Sequence, residues 1–210
     1  MALPLPAAGA ACPDGYRLYV IWLLMLAYTF NFMDRQVVAV LLPQIQHDLG
    51  ISDTLAGLLH GTAFALFYVT LGIPIARWAD RGNRVGIIAL AVATWSAMTA
   101  LCGLAQNYLH LFIARVGVGV GEAGCSPPAY SLISDYFAKE RRAGALAIYA
   151  AGIPMGSVLG LMLGGLLAEH VGWRNVFLIF AVPGLILALI IRLTVKEPAR
   201  GQVDGIADQS

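Results

Sequence analysis

Charge is scarce in this chain. Of 210 residues, 13 are Lys or Arg and 12 are Asp or Glu, a 12% share where a soluble domain carries about 25%. The net charge of +1 comes without a basic tract, which excludes a nucleic-acid binder. Cysteine is nearly missing as well. Three are present, an odd number, with no C-x-x-C and no His at metal spacing, so neither a disulfide framework nor a metal site is expected. Cys102 and Cys125 sit in apolar runs as small packing residues. Cys12 follows Ala-Ala-Gly-Ala-Ala, but no Lys or Arg precedes it, so a lipoprotein processing site or cleaved signal peptide is not expected. What the chain does have is apolar surface: 59% of its residues and a mean hydropathy of +0.76. So few ionised groups cannot cover a core of this size in water, which excludes an ordinary cytosolic enzyme and a disordered segment. The expected medium is a bilayer.

About 20 apolar residues cross a ~30 Å hydrocarbon layer, so the length allows roughly six spans with short loops. The apolar runs place helices at about 17–45, 54–78, 85–104, 108–137, 142–169 and 173–194, forming one bundle over 16–197. A tail over 1–15 precedes it and a short polar tail over 198–210 follows. Turn residues mark the joints: Leu49-Gly50-Ile51-Ser52, Arg81-Gly82-Asn83, Gln106-Asn107 and Val171-Gly172. Ten of the 13 Lys and Arg residues fall on one side, at Arg17, at the 2–3 loop, at the 4–5 loop (Lys139, Arg141, Arg142) and beyond helix 6, while the other side holds Arg174. That asymmetry predicts both termini in the cytoplasm, in the inner or plasma membrane.

The spacing also hints at an internal duplication. Asp34 in helix 1 and Glu122 in helix 4 lie 88 positions apart, and Arg84 and Arg174 lie 90 apart. Two inverted three-helix repeats with acids at mid-depth are a common transporter plan.

Local motifs add a family. Ala76-Arg77-Trp78-Ala79-Asp80-Arg81-Gly82-Asn83-Arg84 resembles the helix 2–3 signature loop of the major facilitator superfamily, commonly G-x-x-x-D-R-x-G-R-R/K. Arg115-x-x-x-Gly119 is similar to that superfamily's helix 4 motif, and Gly172-Trp173-Arg174 to its helix 6 opening. Asn31-Phe32-Met33-Asp34-Arg35 and Gly119-Val120-Gly121-Glu122-Ala123 resemble the spinster-like branch. Ala76, Asn83 and Val85 depart from the signature. The resemblance runs from about Tyr16 to Pro198 and implies an all-α membrane protein, one half of a twelve-span major facilitator fold. Its activity would be transport rather than enzyme catalysis, with no cofactor and no bound metal. The implied substrate is a lysolipid or sphingoid lipid; the residues themselves suit a small organic anion equally.

An ionised group at mid-bilayer costs about 2.5–3.5 kcal/mol on insertion scales and calls for a reason. Four lie inside the spans: Asp34, Arg35, Arg115 and Glu122. Arg115 and Glu122, seven apart, share a face of helix 4, with Asp34 and Arg35 at depths between them; two acids and two bases sum to zero. This constellation reads as a proton and substrate site, with Glu122 or Asp34 carrying the proton and Arg35 holding an anionic head group or, when empty, an acid. The alternative is a static salt-bridge cluster pinning helix 1 to helix 4, and Arg115 fits either. The resemblance places the Asp-Arg pair and the helix 4 Glu at the cavity centre.

On the cytoplasmic side Asp80, Arg81, Arg84 and Asp135 form a candidate gate, in which Arg84 bridges to Asp135. Arg77 and Arg81 also read as plain members of a solvated turn. With the other half beyond this chain, the latch is expected to have nothing to close on. Gly152, Gly156, Gly160 and Gly164 form a stripe where a helix can approach closely, and Pro127 and Pro128 should bend helix 4 just past Glu122. Gly119-x-Gly121-x-x-Gly124 has no strand before it and is no dinucleotide site. Ser126 lacks the G-x-S-x-G frame of a protease, and His60 reads as a packing residue.

Partners follow: a lipid-like or anionic small molecule, protons, membrane lipids, and either a C-terminal six-helix half or a second copy. The competing reading is a truncated, non-transporting membrane protein that dimerises through its glycine stripes.

Overall fold

The computed structural model describes residues 13–62, 74, 77, 78 and 81–201, and every regular element among them is helical. The expected helix over 54–78 falls largely outside them, as does Asp80.

Helix α1 (Asp14–Leu49) is 36 residues long, with Asp14 in its first turn. At ~1.5 Å per residue that is far more than a ~30 Å layer needs. It ends at Gly50, whose φ of 62° closes the helix by a bond from its N–H to Gln46 O. Helix α2 (Asp53–Gly57) is capped by the Ser52 side chain and continues as a π-helical stretch, Leu58–Thr62. Helix α3 (Arg84–Gly103) starts where Asn83 Oδ1 accepts the Gly86 N–H at 2.5 Å. Helix α4 (Tyr108–Ala123) starts the same way on Asn107. Both caps satisfy backbone donors that would otherwise be orphaned.

One helix was expected over 108–137, bent by its prolines. Instead the structure holds two: α4 ends at Ala123, and α5 (Ser126–Tyr136) starts with proline in its first turn. Pro127 and Pro128 have no N–H to give the carbonyls of Ala123 and Gly124, and a proline sits best at a helix start, so the chain restarts there. Helix α6 (Lys139–Ala150) gives way at Ala151 to α7 (Gly152–Thr194). Inside α7, Gly172 adopts φ 76° and ψ 158°. Only glycine takes that conformation without strain, so the chain turns there between 152–171 and 173–194. By length and composition three of the described stretches could cross a membrane: Asp14–Leu49, Arg84–Gly103 and Lys139–Thr194.

The core is built on close backbone approach. Helix α7 packs on α1 and α3, and α3 packs on α4. The glycine stripe is used inside the bundle. A methyl at Gly156 would lie 2.2 Å from Thr29 O, and one at Gly160 would lie 2.8 Å from Met33 O. Helix α1 therefore fills the stripe, which leaves no room for a partner chain there. Gly121 and Gly184 do the same for α3, against the Trp95 backbone and the Ser96 hydroxyl.

Candidate functional site

Polar groups inside this apolar body meet where α1 faces α4. Arg35 Nε donates to Glu122 Oε2 at 2.6 Å; the Glu122 side chain is fully buried and that of Arg35 is 27% exposed. The Arg35 guanidinium also lies 5.0 Å from the Phe32 ring centre, in cation–π range. Asp34, beside Arg35 in the chain, turns to α3 and accepts a hydrogen bond from the Thr99 hydroxyl at 3.1 Å, both groups buried. Arg115 is buried as well, and it and Glu122 both lie within electrostatic reach of Asp34. Asn31, buried one turn before Arg35, also turns its side chain to the Glu122 carboxylate, and Arg115 lies within electrostatic reach of it. The arrangement therefore joins two acids and two bases in one largely buried cluster, with Arg35 and Glu122 in direct contact.

A second cluster lies at the end of the bundle that holds residues 14 and 201. Arg84, with no exposed side-chain surface, uses every face of its guanidinium. It bonds to Asp135, to Glu197 Oε1 at 2.5 Å, to Ser131 Oγ at 3.0 Å and to Pro198 O at 2.9 Å. Glu197 reaches back to the Val85 N–H at 2.9 Å, and Asp135 accepts from Gly201 N at 3.0 Å. Beside Asp135, the wall around Arg84 comes from its own chain past α7. Arg81 is exposed.

A third cluster occupies the opposite end. Arg174 pairs with Asp48, donates to Ala105 O at 3.2 Å and lies 4.1 Å over the Trp173 ring, while Trp173 Nε1 donates to the same Asp48 carboxylate at 3.1 Å.

Of the residues singled out from sequence, Asp34, Arg35, Arg115 and Glu122 share one cluster, and Arg84 and Asp135 share another. Sequence reasoning missed Thr99, Asn31, Glu197 and Asp48. For Thr99 the sequence offered no distinct signal, since α3 also carries Thr94 and Ser96; for Glu197 and Asp48 it was an acid just past or at a helix end.

The family question is answered by comparison with known proteins. Residues 24–209 match the Major Facilitator Superfamily. The chain belongs to that superfamily. Within it, the relatives place the chain in the spinster-like branch. It is 39% identical over 175 residues to an efflux pump of Mycolicibacterium smegmatis, covering 83% of this chain and 41% of the pump. It is 33% identical over 190 residues to the sphingosine-1-phosphate transporter of Mus musculus, covering 89% of this chain and 34% of that protein. A bacterial homologue of the human lysosomal transporter spinster, solved inward-facing and occupied, superposes with a TM-score of 0.87 at 46% identity, over 92% of this chain and 47% of that one. The chain spans less than half the length of these superfamily relatives. It is a membrane protein of this superfamily, with only helices among its described regular elements.

Proposed function

We propose that the chain forms the N-terminal six-helix bundle of a proton-coupled secondary transporter working by alternating access. In this reading the six spans are two inverted three-helix repeats with both termini in the cytoplasm. Spacing supports the repeat: Arg174 lies 90 positions after Arg84, and Asp135 lies 87 after Asp48, so the two end clusters pair corresponding residues. The observation that carries the reading is the Arg35–Glu122 pair, its carboxylate fully buried, with Asp34 alongside. A carboxylate paired with an arginine can trade that arginine for a proton, leaving the cation free for an anionic head group.

The substrate proposed is an amphipathic or anionic small molecule of lysolipid or sphingoid type, supported by the cation at Arg35 and by the likeness to a sphingosine-1-phosphate transporter. Arg84 and Asp135, with Asp80 and Arg81, are proposed as the cytoplasmic gate. The reading of a non-transporting protein that dimerises through its glycine stripe loses its support, because α1 occupies that stripe.

The test is Glu122→Gln in the full-length transporter, reconstituted in liposomes. Substrate binding should persist while uptake stops responding to a proton gradient, by tenfold or more. Unchanged proton-driven uptake would overturn the assignment.

A further inference from the structure

Hydroxyl side chains on these helices have a habit. Thr29, Ser134, Ser157 and Thr194 each donate to the carbonyl four residues back, at 2.9, 3.1, 2.9 and 2.8 Å. That back-bond is the local default for Ser and Thr in a helix. Thr99 departs from it. Fully buried in α3, it gives its one proton across the interface to Asp34 Oδ2 at 3.1 Å.

We infer that Thr99 is the positioning residue that sets the pH at which Asp34 exchanges its proton. The inference rests on the proposed reading that Asp34 changes protonation state. A hydroxyl is donor and acceptor at once, with two lone pairs and a rotatable proton. Facing an ionised Asp34, it donates, as the structure has it. Facing a protonated Asp34, it accepts the carboxyl O–H, and its own proton turns to the Trp95 carbonyl, the back-bond its relatives along the chain already make. Neither state strands a buried donor. An amide at this place would carry more hydrogen-bonding groups than the contact can satisfy, and a methyl would serve neither state.

Other groups also act on Asp34 and are left in place when Thr99 is changed: Arg115 and Glu122 on α4 and Cys102 one turn along α3, with Arg35 beside it on its own helix paired to Glu122. Because Asp34 and Glu122 are close enough to titrate as a coupled pair, the proton must be followed at Asp34 itself.

The experiment is an infrared pH titration of the full chain in lipid nanodiscs, with no substrate, reading the carboxylic C=O band that Asp34→Asn removes. Thr99→Val keeps the shape and deletes the hydroxyl; it should move the midpoint of that band to higher pH by about one unit, since the ionised form loses a donor. Thr99→Ala should move it the same way, and covers the case in which the valine variant misfolds. Thr99→Ser should restore the wild-type midpoint to within a few tenths of a unit. An Asp34 band unmoved by Val and Ala, or moved as far by Ser as by Val, overturns the role of Thr99 while leaving the transporter reading intact. If wild type shows no Asp34 band that titrates, the carrier reading of Asp34 falls and takes this inference with it.

Discussion

The two ends of the bundle carry the same pairing of charges in opposite surroundings. At one end Arg84 opens α3 and meets Asp135 at the end of α5. At the other, Arg174 opens the second half of α7 and meets Asp48 at the end of α1. Yet the Arg84 side chain has no exposed surface, whereas those of Arg174 and Asp48 are 41% and 46% exposed. Arg84 has exchanged its water for acceptors on two carboxylates, a hydroxyl and a carbonyl: Nε serves Glu197, Nη1 serves both Asp135 and Ser131, and Nη2 serves Pro198 O. Arg174 keeps much of its water and adds an aromatic face. The lesson is that equal formal charge pairs need not be equal fasteners. A desolvated arginine is strongly held because removing it strands its partners, while a wet pair is screened and exchanges freely with solvent.

Removing the cation is the largest way to test that contrast. Arg84→Ala should cost about 3–5 kcal/mol in a chemical-unfolding measurement of the chain in detergent micelles, because Asp135 and Glu197 would face each other without a counter-charge. Taking one acid away is milder. Glu197→Gln should cost about 1.5–3 kcal/mol by the same measurement, since a charge-assisted bond weakens while Asp135 still neutralises the arginine. The smallest effect belongs to the opposite end. Asp48→Asn should leave the melting temperature close to wild type at ordinary salt and indistinguishable from it at 1 M salt, where screening acts within about 3 Å. A salt-insensitive loss at Asp48 as large as that at Arg84 would erase the distinction between the ends.

Much of this could be read from the residues beforehand, and what could not has a physical reason. An acid and an arginine inside apolar spans have few places to go, so the sharing of one cluster by Arg35 and Glu122 followed from cost alone. Arg84 and Asp135 could be paired because they fall on one side of the bundle. The asymmetry of Lys and Arg, however, sorts bases by side without saying which acids they meet, so Asp48 and Glu197 went unnoticed. Glu197 becomes a partner only because the chain past α7 folds back under α3. Thr99 did not stand out, since it is one of three hydroxyl residues in α3, with Thr94 and Ser96. The glycine stripe announced a close approach, but the identity of the approaching helix is a property of the whole packing. Pro127 and Pro128 signalled a disturbance; the structure makes it a helix end, which the backbone bonds available there dictate.

The seam between α1 and α7 has a mechanical consequence. With Gly156 and Gly160 laid against the carbonyls of Thr29 and Met33, no side chain along it can swing aside to let one helix slide past the other. The two travel as a single stiff beam, and Asp34 and Arg35 ride on it. Parting Arg35 from Glu122 then means moving that beam as a unit or bending α4, whose nearest articulation is the short interruption at Gly124 and Cys125, two and three residues beyond the glutamate.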